Sequence, residues 1–165
     1  MKKILVIGCP GSGKSWFSRK LSELTGIPVY HLDNMFWNSD GTHVEQTVLD
    51  ERIAEVMKQD YWIMDGQYLR TLKWRLENCD TVFFLDLPVK VCLEAICNRV
   101  GQKRSDIPWT EKEVDPEFYQ YVREFPEKQL KTTKKLLEEA EGINIIHLTS
   151  RQEVSDYLEA LKNDN

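Results

Sequence analysis

Residues Gly8-Cys9-Pro10-Gly11-Ser12-Gly13-Lys14-Ser15 complete the pattern G-x-x-x-x-G-K-[ST], and their flanks suit it. Before them runs Ile4-Leu5-Val6-Ile7, a short apolar stretch of the kind buried in parallel sheets. After them, Trp16 to Leu24 carries apolar residues at helical spacing. Strand, glycine-rich turn and helix in that order direct the chain to an α/β architecture whose first loop wraps an anion. The glycines let successive backbone N–H groups turn inward on a phosphate chain, and the helix N-terminus adds partial positive charge. Gly8 to Ser15 thus form the expected loop for a nucleoside triphosphate. Lys14 is expected on the β- and γ-phosphates and the Ser15 hydroxyl on Mg²⁺.

The remaining chain repeats the alternation. Further strands are expected at 29–32, 61–64, 81–85 and 143–148. Helices are expected at 14–24, 45–59, 71–76, 88–100, 116–141 and from Ser150 to about Lys162. The 45–59 helix sets Val48, Leu49, Ile53, Val56 and Met57 on one side. Ser150 with Glu153 reads as a capping box. Gly101, Pro108 and Pro116 with interspersed charges mark 101–115 as a mobile loop. Residues 1–165 form one domain, a parallel sheet covered by helices on both faces, with ligands at the carboxyl ends of its strands.

The formal charge of −5 opposes a broad nucleic-acid-binding face. The apolar run after Met1-Lys2-Lys3 is too short for a signal peptide, and no stretch has the length of a membrane span, so a cytoplasmic protein is expected. The four cysteines form no C-x-x-C. Cys79, Cys92 and Cys97 are expected as small buried hydrophobes, and Cys9 as a thiol partly activated by the positive potential of its loop.

Asp33, Asp65 and Asp86 fall at the carboxyl ends of expected strands, on the edge that carries the phosphate loop. Phosphoryl transfer needs a metal near the β- and γ-oxygens, cations on the transferring group and a group that orients the nucleophile. Asp65 is expected to hold magnesium through water, and Asp33 to orient or deprotonate an acceptor hydroxyl. Asp86 has two readings, a metal-site acid closing the run Val82–Leu85 or a cap for the next helix. Arg70, Arg99, Lys103 and Arg104 are the candidate cations, the last two opening the mobile loop that would close over the phosphates. Phe36, Trp37, Tyr68 and Trp109 border the expected cleft and could line a pocket for a flat substrate. His31 and His43 receive no role.

The stretch Tyr61-Trp62-Ile63-Met64-Asp65-Gly66-Gln67-Tyr68-Leu69-Arg70-Thr71 resembles the D-G-F-P-R-T signature of adenylate kinases with one residue inserted. Together with the phosphate loop and Phe84-Leu85-Asp86-Leu87-Pro88, it follows the order seen in adenylate-kinase-like small kinases. The chain also resembles, over nearly its whole length, bacterial P-loop proteins labelled DNA topology modulation proteins. That likeness includes His31-Leu32-Asp33, Phe36-Trp37, Asp65 to Leu72 and Arg104-Ser105-Asp106. The resemblance implies a P-loop NTPase fold with sheet order 2-3-1-4-5, a lid centred on 101–115, ATP as phosphoryl donor, and an acceptor pocket between the second strand and the 45–59 helix. It implies that Arg70 grips an acceptor phosphate and that Arg99 sits at the lid edge. Two departures bear on the acceptor. Ala95 stands where adenylate kinases carry another arginine, and the inserted residue displaces Arg70.

The resulting expectation is an ATP- and Mg²⁺-dependent phosphotransferase on a small-molecule acceptor, working as a monomer or homodimer. Its catalytic residues would be Lys14, Asp33, Arg99 and Arg104. Gly8 to Ser15 with Lys103 would hold the nucleotide, Ser15 and Asp65 the metal, and Asp33, Phe36, Trp37, Asp65, Tyr68 and Arg70 the acceptor. The competing expectation is a nucleotide-binding regulator or binding module, acting on DNA or on a protein partner, that turns over no small molecule. No N/T-K-x-D guanine-recognition motif is present.

Overall fold

A computed structural model describes residues 1–164. Five strands, β1 (Lys3–Gly8), β2 (Val29–His31), β3 (Trp62–Asp65), β4 (Thr81–Leu85) and β5 (Asn144–Leu148), form one parallel sheet in the order β2-β3-β1-β4-β5. The helices are α1 (Lys14–Thr25), α2 (Leu32–Phe36), α3 (Gln46–Met57), α4 (Leu69–Leu76), α5 (Val89–Asn98), α6 (Pro116–Phe125), α7 (Lys131–Glu139) and α8 (Arg151–Asn163).

The apolar run that made β1 legible also explains why both sheet faces are covered. Successive side chains of a strand point to opposite faces. Ile4 and Val6 pack with Phe17 and Leu21 of α1, Cys92 and Ile96 of α5, Val122 and Phe125 of α6, and Val154 and Leu158 of α8. Leu5 and Ile7 pack on the other face with Leu49 and Ile53 of α3, Leu72 and Leu76 of α4, and Leu137 of α7.

Several expectations change. Leu32 leaves the second strand and opens the five-residue helix α2. A helix that short is not stable alone; complete burial of Leu32 anchors it, contributing about 2 kcal/mol. Asp33 therefore stands in the first turn of α2 rather than at a strand end. Tyr61 lies outside β3 and is exposed, whereas Asp65 is its last residue.

The single helix expected over 116–141 is interrupted. Pro126 has no N–H for the helical ladder, and residues Pro126–Leu130 form a π-helical turn between α6 and α7. The displacement places Leu130 against the apolar clusters on both faces of the sheet.

At the last helix, Ser150 Oγ accepts from the Glu153 N–H at 3.1 Å. The Glu153 carboxylate turns to the Thr149 N–H at 2.6 Å and its hydroxyl at 3.0 Å, so the reciprocal half of the capping box is made one residue earlier.

Candidate active site

The phosphate loop joins β1 to α1 and needs glycine for a steric reason. Gly8 has φ 146°, and a Cβ there would stand 2.3 Å from the Leu85 carbonyl oxygen; one on Gly11 would stand 2.4 Å from that of Cys92. The loop can thus press against β4 and α5 only without side chains at those two positions. The Cys9 carbonyl accepts from the Ser12 N–H at 3.0 Å and from Lys14 Nζ at 2.9 Å, which folds the lysine over the loop. Arg151, at the start of α8, donates to the carbonyls of Gly11 at 3.1 Å and Ser12 at 3.3 Å and braces the loop from outside.

The loop opens onto a cleft of about 890 Å³ at the carboxyl ends of the strands. Pro10, Gly11, Gly13, Lys14 and Ser15 line it on one side. Asp33, Phe36, Trp37, Asp65 and Tyr68 line it opposite, and Arg99, Lys103 and Arg104 close it from above. Gly8, Cys9 and Ser12 stand behind this lining as the loop's support.

Asp33 accepts a hydrogen bond from the Tyr68 hydroxyl at 2.6 Å. Burial raises the pKa of its carboxyl, and the nearby charges of Asp65 and Asp106 push the same way, against the Tyr68 hydrogen bond and Lys14. Burial lowers the pKa of Lys14, against the pull of the surrounding anionic groups. A cationic lysine beneath a carboxylate of raised basicity is a usable pair for moving a phosphoryl group and a proton.

The segment between α5 and α6 bends over this cleft and is tied down by its own charges. Arg99 donates to Glu111 at 3.0 and 3.4 Å and lies over the Phe118 ring at 5.4 Å. Arg104 donates to the same Glu111 at 3.1 Å and forks onto both oxygens of Asp106. Asn34 of α2 donates to the Ser105 carbonyl at 2.8 Å. Lys103 stays exposed at the rim.

An aromatic shelf flanks Asp33. Trp37 meets Trp109 edge-to-face at 5.3 Å, and Phe36 meets Tyr68 the same way at 5.7 Å. His43, given no role from sequence, stacks on Phe36 at 4.7 Å and pairs by backbone with Trp37.

Several residues stand elsewhere than expected. Arg70 does not line the cleft; its guanidinium is paired with Asp50 of α3 at 2.5 and 3.1 Å. Asp86 neither faces the cleft nor caps α5. It binds His147 Nε2 at 2.9 Å and Lys134 Nζ at 3.2 Å. Lys134 thus pairs outside its own helix rather than with Glu138, four residues further along α7. The Cys9 thiol is not activated: contact with the Cys92 thiol and burial raise its pKa, outweighing the charge of Lys14. Cys97 is exposed and Cys79 only partly buried, unlike Cys92.

Sequence reasoning missed four residues of the site. His31 Nδ1 lies 2.6 Å from Asp65 Oδ2, both buried. Gln67 accepts from the Gly8 N–H at 3.1 Å and donates to Thr133 of α7 at 2.7 Å, tying the start of the phosphate loop to α7. Asp106 accepts from the Ser15 hydroxyl. Arg75, wholly buried, holds the 66–68 backbone. His31, Gln67 and Asp106 fall in the stretches quoted for the resemblance, whereas Arg75 carried no readable sign.

No family model matches this chain. It is 31% identical over 88 residues to adenylate kinases of Thermotoga petrophila and Thermotoga maritima, a match covering 52% of this chain and 39% of theirs. The chain thus matches about two-fifths of the length of those relatives. Among solved structures it is similar to shikimate kinase from Acinetobacter baumannii in complex with shikimate, at TM-score 0.64 and 16% identity, over 100% of this chain and 95% of that one. It is also similar to deoxyadenosine kinase from M. mycoides with bound dATP, at TM-score 0.60 and 15% identity, over 99% and 98%. The fold is that of the P-loop small kinases. Among the described residues no helix is long and apolar enough to cross a membrane.

Proposed function

We propose that this protein is an ATP-dependent phosphotransferase that moves the γ-phosphoryl group onto a hydroxyl of a small-molecule acceptor. The observation that carries the reading is the position of Asp33, a carboxylate of raised pKa that lines the same cleft as Lys14 and is fixed by the Tyr68 hydroxyl. The kinase names of its relatives point the same way.

In this reading the loop amides and Lys14 hold the triphosphate. The acceptor rests against Phe36, Trp37 and Tyr68 with its hydroxyl toward Asp33. The bond from the γ-phosphorus to the β,γ-bridging oxygen breaks, a bond from that phosphorus to the acceptor oxygen forms, and the hydroxyl proton passes to Asp33. Lys14 meets the charge on the phosphoryl oxygens, and Arg99 and Arg104 add to it from above. Lys103 reaches the nucleotide from the rim. The oxygen donors Ser15 and Asp65 suit Mg²⁺, which takes one or two protein oxygens and completes its shell with phosphate oxygens and water. When bound, the metal neutralises charge between the β- and γ-phosphates. Cytoplasmic ATP and magnesium would supply such an enzyme, as a monomer or homodimer.

The test is ADP release coupled to a panel of nucleosides, nucleotides and other small hydroxyl compounds. Turnover stimulated by an acceptor, and lost in Lys14→Ala and in Asp33→Asn, supports the phosphotransferase. Tight ATP binding that no acceptor stimulates, with retention of DNA, would instead establish the nucleotide-dependent regulator.

A further inference from the structure

Around Ser15 stands an oxygen that the phosphate-loop pattern does not supply. The Ser15 hydroxyl donates to Asp106 Oδ2 at 3.0 Å, across 91 positions of sequence. Asp106 lies in the segment over the cleft, yet it is only 5% exposed, unlike its neighbours Lys103 and Ser105. It is held from two sides, by the Arg104 fork on its carboxylate and by Asn34 on the adjoining Ser105 carbonyl.

That spacing fits a metal. Mg²⁺ binds oxygen at about 2.1 Å in octahedral geometry, so two neighbouring ligands stand about 3.0 Å apart. Ser15 Oγ and Asp106 Oδ2 already have that separation. Both acids are engaged, Asp65 Oδ2 by His31 at 2.6 Å and both oxygens of Asp106 by Arg104; of the two, it is Asp106 that contacts the Ser15 hydroxyl.

We propose that Asp106 is a ligand, carried by the lid, for the magnesium of the bound nucleotide, adjacent to Ser15. Metal loading would then lock the docked lid in place. Because Arg104 is forked onto Asp106, the same event holds that guanidinium beside the phosphates. This rests on the nucleotide-binding reading above and adds a residue to it.

The experiment uses Mn²⁺ as the probe, titrated by electron paramagnetic resonance into the full chain saturated with ADP. Wild type is compared with Asp106→Asn, and ADP affinity without metal is measured for both. The expected result is a loss of about tenfold or more in Mn²⁺ affinity, on the scale of removing a metal-site partner, with metal-free ADP affinity changed less than about threefold. Hydrogen exchange on the wild type gives a second reading that needs no variant. Adding Mg²⁺ to the ADP complex should raise protection across residues 104–107, and this measurement decides if Asp106→Asn does not fold. Equal Mn²⁺ affinity in the two proteins, or a fall in protection when metal is added, overturns the assignment, the latter by showing that metal expels Asp106 from Ser15. Absence of any ADP binding by folded wild type would be a different failure, that of the nucleotide reading itself.

Discussion

Arg75 Nη2 donates to the backbone carbonyl of Tyr68 at 3.0 Å, and Tyr68 is the non-glycine residue that stands at positive φ, 30°, among the described residues. The same guanidinium takes the carbonyls of Gly66 at 2.9 Å and Gln67 at 2.7 Å, and its Nε reaches Thr71 at 3.1 Å. A left-handed tyrosine costs of order 1 kcal/mol or more and persists only where the surroundings fix it. Arg75 fixes it, and so aims the Tyr68 hydroxyl at Asp33.

Replacing Arg75 with methionine leaves the Gly66 and Gln67 carbonyls without their donor, while the Tyr68 carbonyl keeps the Thr71 N–H at 3.1 Å and hydroxyl at 3.2 Å. An orphaned buried polar group costs about 1–3 kcal/mol, so Arg75→Met should lower unfolding free energy by about 3 kcal/mol or more in urea titrations. Arg75→Lys cannot reproduce the fork and should recover only part of the loss. Wild-type stability in Arg75→Met would mean that the carbonyls find other donors.

Lys14→Ala removes the preorganised cation of the phosphate loop. Acceptor-stimulated turnover should fall roughly 10²-fold or more, and stopped-time ADP assays at saturating ATP would measure it. A change under about threefold would make the role assigned to Lys14 untenable.

The phosphate loop and the sheet were readable because their requirements are local: glycines at fixed spacing, and apolar runs whose length matches a strand. Residues defined by distant partners were not. Arg75 is a residue type normally exposed, and nothing around it in sequence marks its burial. His31 lies 34 positions from Asp65, and Gln67 lies 59 from Gly8. Pro126 was a local signal for the break between α6 and α7, since it cannot donate to the helical ladder. Glu124–Lys128 and Lys135–Glu139 pair at helical spacing across the same stretch.

Arg70 is the clearest case where motif and structure part. Its side chain is half exposed and engaged by Asp50 outside the cleft. Arg70→Ala should therefore change kcat/KM for the stimulating acceptor by less than about threefold, and cost at most about 1 kcal/mol of stability, as exposed ion pairs do. A loss of tenfold or more confined to KM would show that the guanidinium swings inward to grip the acceptor.

The His31–Asp65 pair makes stability depend on pH with a definite sign. Burial works against the charged imidazole, but the hydrogen bond and charge of Asp65, with the charge of Asp106, more than offset it, so the pKa of His31 is raised above its ordinary 6.5. A group whose pKa is higher when folded stabilises fully below its unfolded pKa, and that stabilisation is lost as pH rises through the folded value. Wild type should therefore exceed His31→Asn in unfolding free energy by most near pH 6, and the gap should narrow as the pH is taken to about 9. The narrowing amounts to about 1.4 kcal/mol for every tenfold gain in proton affinity that folding gives the imidazole. Asp65→Asn removes the partner that raises the pKa and should flatten the same profile. A gap that stays constant with pH, or widens toward alkaline conditions, would mean that His31 stays neutral beside Asp65 and serves only as its hydrogen-bond donor.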